Sequence, residues 1–249
     1  VIVAATEWCT PKERVMSTCV AVAGSGAGGW YWDDVVPLIE QSGHDIVVVD
    51  RLPSNGRNAE ALGDLTADTA HVRGIVDAID GSIVLAGHSY GGMILTELAD
   101  HPAVRHSIYI AALWPQRGQS VADLLGGDGS ELPAHVVVND DGTWAFSDDV
   151  NVVRQVLFPD VDEQRAAEIH RRLVPQALAA FATPSTAPDR THSTTFVITE
   201  HDKLVPAAAQ EAIAQQADHV VRVPTAHTPM FSAPDRIATI INDTLDSID

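Results

Sequence analysis

Short apolar runs at 17–23, 45–50, 82–87 and 106–113 alternate with longer stretches, of about 10 to 15 residues, whose apolar positions recur every three or four. Runs this short and rich in β-branched residues read as strands buried on both faces, and the stretches between them as helices with one apolar side. Trp30, Val35, Val36, Leu38 and Ile39 predict a helix ending near Gly43, and further helices are predicted over 66–79 and 92–100. Such alternation builds βαβ units, so the chain is expected to be α/β with a doubly wound, mostly parallel sheet.

The alternation fails between Trp114 and Arg190, where Gly126, Gly127, Gly129, Pro133, Pro159 and Pro175 surround a helix-like stretch over 162–181. It resumes with a strand at 194–200, a helix after Pro206, a strand at 219–224 and an amphipathic helix over 234–248. The expected organisation is therefore a core of residues 16–113 and 191–249, a helical cap inserted at 114–190, and an N-terminal extension, 1–15, peripheral to the core. No repeat or linker divides the chain.

Composition narrows the class. The 249 residues are 45% hydrophobic and 20% charged, which suits one folded domain with a sizeable core and excludes a disordered or collagen-like chain. No run approaches the roughly 20 apolar residues of a membrane span. A net charge of −19 repels phosphate backbones and anionic headgroups, so neither nucleic acid nor membrane is an expected partner. The start lacks the features of a secretory signal, and a cytoplasmic protein is expected. Cys9 and Cys19 are too few for a disulfide framework or a four-cysteine zinc site, and no cluster has metal-ligand spacing, so neither metal nor cofactor is expected.

The chemistry concentrates in Gly87-His88-Ser89-Tyr90-Gly91, a G-x-S-x-G pattern lying directly between a predicted strand and a predicted helix. That context suits a nucleophile elbow, in which a serine sits on a strained turn and small neighbours avoid clashes. A serine needs a histidine to take its proton. Of the eleven histidines, His227 follows the last core strand, at the edge where open α/β sheets gather ligands. A carboxylate between the two in sequence must orient it, and Glu200 and Asp202 both follow the strand at 194–200. Asp202 is favoured, because a short loop separates it from the next helix, with Glu200 as the alternative. Oxyanion donors are expected from the backbone N–H groups of Tyr90 and Ser25. Gly24, Gly26 and Gly29, with Asp50 downstream, also fit a dinucleotide-binding fingerprint, but that reading predicts neither the elbow nor the distal histidine.

These segments, AGSGAGGWYWDDVVPLIEQSGHDIVVVD, GHSYGGMILTELA, TEHDK and AHTPMFSAPD, resemble the α/β-hydrolase superfamily from about residue 17 to the end. The resemblance is to the branch holding plant methylesterases, hydroxynitrile lyases and related bacterial esterases. It implies a Ser89–His227–Asp202 triad, Ser25 and Tyr90 as amide donors, and a cap over a small apolar pocket. Gly24, Trp114, Leu124, Trp144, Phe146, Leu157 and Met230 are the candidate lining. Two departures stand out: the family usually opens its oxyanion loop with His-Gly where this chain has Ala23-Gly24, and Gly24 and Thr228 replace the threonine and lysine of the lyases. The implied activity is hydrolysis of a small, largely apolar carboxylic ester through an acyl-enzyme, by a protein for which a homodimer is the candidate assembly. The alternatives are carbon–carbon cleavage on the same triad, as in hydroxynitrile lyases, and non-catalytic binding of a small ligand.

Overall fold

The computed structural model describes residues 17–126 and 133–248, so the expected extension at 1–15 lies outside the described residues. The first half runs β1 (Thr18–Val22), α1 (Val36–Gln41), β2 (Asp45–Val48), α2 (Leu65–Asp77), β3 (Ile83–His88), α3 (Gly91–Glu97) and β4 (Val104–Ile110). An insertion follows with α4 (Val121–Leu125), β5 (Val136–Val138), β6 (Thr143–Phe146), α5 (Val150–Leu157), α6 (Glu163–Arg172), β7 (Gln176–Ala177) and α7 (Leu178–Ala182). The chain ends with β8 (Ser193–Thr199), α8 (Ala207–Ala214), β9 (His219–Val223), α9 (Pro229–Ser232) and α10 (Pro234–Ile248).

Six strands form one sheet in the order β2-β1-β3-β4-β8-β9, and every neighbouring pair is parallel. All residues of β1 and β3 are buried, as their unbroken apolar runs predict for strands covered on both faces. Alternate residues serve opposite layers. Val20, Leu85, Tyr109 and Phe196 pack with Leu65, Val72 and Leu95 of α2 and α3, while Ala21, Val84, Ile108 and Val197 pack with Ile39 of α1 and Ile237, Ile241 and Leu245 of α10. Each fully buried Val, Ile or Leu contributes roughly 1.5–3 kcal/mol over its exposed state. Among the described residues no helix is long and apolar enough to cross a membrane.

Two predicted helices are shorter than their apolar periodicity, and proline accounts for both. Gly29–Trp32 forms a single 3-10 turn, and α1 begins only at Val36, next to Pro37, which favours a helix's first turn because it has no N–H to bond backwards. A glycine loop leading into one 3-10 turn is not the helix N-terminus that a dinucleotide fingerprint requires. The stretch 162–181 breaks after α6, where Leu173 turns extended ahead of Pro175, and helix resumes only at Leu178. Nor is the insertion wholly helical: the β-branched run Val136–Val138 pairs antiparallel with β6, which pairs with β7, giving a small sheet of its own.

Candidate active site

In the sheet order, β2 and β3 lie on opposite sides of β1, so the loops leaving β1 and β3 diverge and open a crevice at the carboxyl ends of the strands. Ser89 occupies that point. It has φ +51°, in the left-handed region that costs a non-glycine residue about 1–3 kcal/mol. Three hydrogen bonds hold it there: Ser89 N–H donates to Ile110 O (3.2 Å), and Ser89 O accepts from Gly92 N–H and Leu113 N–H (both 3.0 Å). The end of β4 thus braces the elbow. Gly91 must be glycine, because a Cβ there would come within 2.8 Å of Val22 O. Gly24 lies against Ser89 itself: a Cβ on it would approach Ser89 Cβ and His88 Nδ1 to 3.0 Å each.

His227 follows β9, and its Nδ1 lies 2.7 Å from Asp202 Oδ2, with both side chains almost wholly buried. The Asp202 carboxylate accepts four further hydrogen bonds: Leu204 N–H and Val205 N–H at Oδ1, and Thr199 Oγ1 and Gln210 Nε2 at Oδ2. Burial pushes this carboxyl up, but His227 and the converging donors outweigh it and hold it below its usual range. Asp202 is therefore the acceptor and His227 Nδ1–H the donor, which leaves Nε2 as the basic nitrogen. Glu200 is exposed and does not reach the histidine; its N–H instead donates to Val223 O and extends the pairing of β8 with β9.

The loop after β1 forms a four-residue turn, closed by Ala27 N–H to Gly24 O (3.3 Å), with Gly26 at φ +66° in its third position. The Ser25 and Tyr90 N–H groups at this end of the sheet donate to no other protein group among the described residues. Tyr90 is anchored through its side chain. Its hydroxyl donates to the buried Asp68 (2.8 Å), which also accepts from Ser54 N–H and Ser54 Oγ, and its ring stacks on Phe181.

The candidate lining residues divide. Phe146 reaches the 24–27 turn beside Gly26, and Trp144 packs edge-on against it. Leu157 lies in the insertion's own apolar cluster, and its carbonyl accepts from Thr228 Oγ1 beside His227. Trp114 does not join them. It stacks flat on Tyr109 at 4.0 Å, also facing Phe196, and borders a separate cleft with Thr96, Arg190 and Gln216. Leu124 packs against the α2/α3 layer, and Met230 is fully buried in the α1/α10 layer. Apolar character is the same in a pocket wall and in a core, and these three serve the core.

Sequence reasoning overlooked two contributors. Gln210 of α8 bonds Asp202, but a glutamine on an amphipathic helix has no distinguishing signal. His88 lies inside the elbow motif. Its Nε2–H donates to His227 O (2.8 Å), and the two rings lie 4.7 Å apart. Burial foremost, then the neighbouring His227, push its pKa down to about 3, so it stays neutral and acts as a fixed donor.

The profile of the alpha/beta hydrolase family matches residues 19–240. A carbendazim hydrolyzing esterase from Nocardioides sp. (strain SG-4G) is 30% identical over 181 residues, covering 68% of this chain and 73% of that protein. A pyrethroid hydrolase from Sphingobium wenxiniae is 25% identical over 245 residues, covering 92% and 87%. In structure, a pyrethroid hydrolase from Sphingobium faniae JZ-2 superposes with a TM-score of 0.79 at 24% identity over 92% of this chain and 97% of that one. A family profile spanning most of the chain, together with the same architecture, makes this protein a member of the alpha/beta hydrolase family.

Proposed function

We propose that this protein is a serine carboxylic ester hydrolase working through an acyl-enzyme. The observation that carries the reading is the buried Asp202–His227 pair at 2.7 Å, whose histidine is tied through its backbone carbonyl to His88, the residue before a serine in the left-handed elbow conformation. Relatives named as esterases and hydrolases support ester cleavage.

In this mechanism Ser89 Oγ attacks the ester carbonyl while His227 Nε2 accepts its proton. The Ser25 and Tyr90 N–H groups donate to the oxyanion. Asp202 balances the charge of the imidazolium that forms. His227 then returns the proton to the departing alcohol, leaving the acyl group on Ser89. Water attacks that ester, His227 again taking the proton, and the free acid leaves as Ser89 is reprotonated. Phe146 and Trp144, near the oxyanion turn, suit a small, largely apolar acyl or alcohol group.

The test is labelling by a fluorophosphonate together with turnover of p-nitrophenyl esters of increasing acyl length. One label per chain on Ser89, with turnover reduced at least a thousandfold in Ser89→Ala, is the expected result. Turnover in Ser89→Ala at a tenth of the original rate would overturn the assignment.

A further inference from the structure

Besides the His227–Asp202 pair and the segment's own local turns, four hydrogen bonds hold residues 225–228 in place, and two of them come from the insertion. From the core, His201 N–H donates to Thr225 O (2.9 Å) and His88 Nε2–H to His227 O (2.8 Å). From the insertion, Asp160 Oδ2 accepts the Ala226 N–H (2.9 Å) and the Leu157 carbonyl accepts the Thr228 hydroxyl (3.2 Å). The residues immediately before and after His227 are thus tied to one short stretch at the carboxyl end of α5.

That stretch is built to be stiff. Leu157 is the last residue of α5, where carbonyls lack intrahelical partners and are free to accept from elsewhere. Its side chain is buried with Val153, Phe158, Val161 and Ile169, and Arg154 Nε closes the turn onto Val161 O (2.9 Å). The same insertion also holds the opposite side of the site, through Val174 N–H to Gly26 O (2.9 Å) in the oxyanion turn.

We infer that Asp160, acting with the Leu157 carbonyl, is a positioning residue for His227, so that the insertion aims the base at Ser89 as well as covering the site. The inference rests on the triad reading above. His227 Nε2 has to meet the Ser89 hydroxyl within hydrogen-bond reach, and a misplacement of about 1 Å costs up to a hundredfold in rate. His88 and Asp202 fix the carbonyl and Nδ1 of His227, while the insertion fixes the peptides on either side. Asp160 is exposed and belongs to no apolar cluster, so its replacement removes the tether without opening the core.

The experiment measures kcat, KM and Tm with p-nitrophenyl acetate for Asp160→Ala, Asp160→Asn, Thr228→Val, His227→Ala and the double variant Asp160→Ala/His227→Ala. Asp160→Ala is expected to lower kcat roughly tenfold, with KM within about twofold and Tm unchanged. Asp160→Asn keeps an acceptor oxygen and is expected to recover most of the loss. In the His227→Ala background, Asp160→Ala is expected to cost nothing further, because the group it positions is gone. Thr228→Val tests the second tether in the same way, and carries the test alone if Asp160→Ala does not fold. Wild-type kcat in the tether variants, or the same loss with and without His227, would overturn the inference while leaving the triad standing. If His227→Ala itself turns over at the wild-type rate, the triad reading falls and takes the inference with it.

Discussion

Replacing Asp202 by asparagine tests the site most sharply, because the surrounding hydrogen bonds dictate how the new amide must sit. Asp202 Oδ1 accepts two backbone N–H groups, from Leu204 (2.8 Å) and Val205 (2.9 Å), and neither can be turned into an acceptor. The asparagine oxygen is therefore required at that position, and its NH2 group must take the place of Oδ2. There it faces His227 Nδ1, Thr199 Oγ1 and Gln210 Nε2. An NH2 group only donates, so His227 has to present a bare Nδ1 and carry its proton on Nε2, where it can no longer accept from Ser89. The expected loss in kcat is about ten-thousandfold, the scale such tautomer errors reach in other triads and equivalent to roughly 5.5 kcal/mol of barrier. Opposing the Gln210 amide with a second donor is expected to cost a further 1–3 kcal/mol, roughly, of folding stability. Initial rates with p-nitrophenyl acetate and urea midpoints measure the two effects separately. Glu200→Gln, at an exposed side chain, serves as the control and is expected to change kcat by less than about twofold. Retention of a tenth of wild-type activity in Asp202→Asn, or a crippling effect of Glu200→Gln, would refute the reasoning.

Other perturbations discriminate further parts of the site. Gly24→Ala places a methyl 3.0 Å from both Ser89 Cβ and His88 Nδ1, so kcat/KM is expected to fall about tenfold or more; an unchanged value would mean that the oxyanion turn relaxes freely. Trp114→Ala removes a buried indole stacked on Tyr109 and is expected to destabilise by about 3–5 kcal/mol in urea titrations while leaving the ranking of esters by acyl length unchanged; a changed ranking would return Trp114 to the pocket. Burial above all holds His88 at about 3 and His106 and His192 at about 4, whereas in the unfolded chain histidines take up protons near 6.5. The unfolded state then binds more protons between roughly pH 6.5 and 4, so the urea midpoint should fall as pH drops through that window, and a flat midpoint from pH 7 to 5 would contradict the burial of these rings.

The order of apolar runs was enough to establish the parallel sheet and its interruption, because strands buried on both faces leave a local signature that survives without tertiary information. The elbow was legible for the same reason: Gly87 to Gly91 run from the end of a strand into the start of a helix, and Gly91 is demanded by backbone only 2.8 Å from where its Cβ would sit. His227 could be singled out by its place after the last strand. The acid was marked only weakly: the short loop before the next helix favoured Asp202, but Glu200 lies two residues away in the same loop. The structure separates them because Glu200 prolongs the ladder with β9, while the following turn brings Asp202 under the N–H groups of Leu204 and Val205 and against Gln210, eight residues away on α8. Long-range packing also decided the insertion. Periodicity over 162–181 carried no sign that Val174, in the break ahead of Pro175, would hold the turn at Gly26, nor that Asp160 would reach Ala226, 66 residues further along. Trp114 illustrates a related point: hydrophobicity reports that a side chain leaves water, and only the fold places that side chain flat against Tyr109.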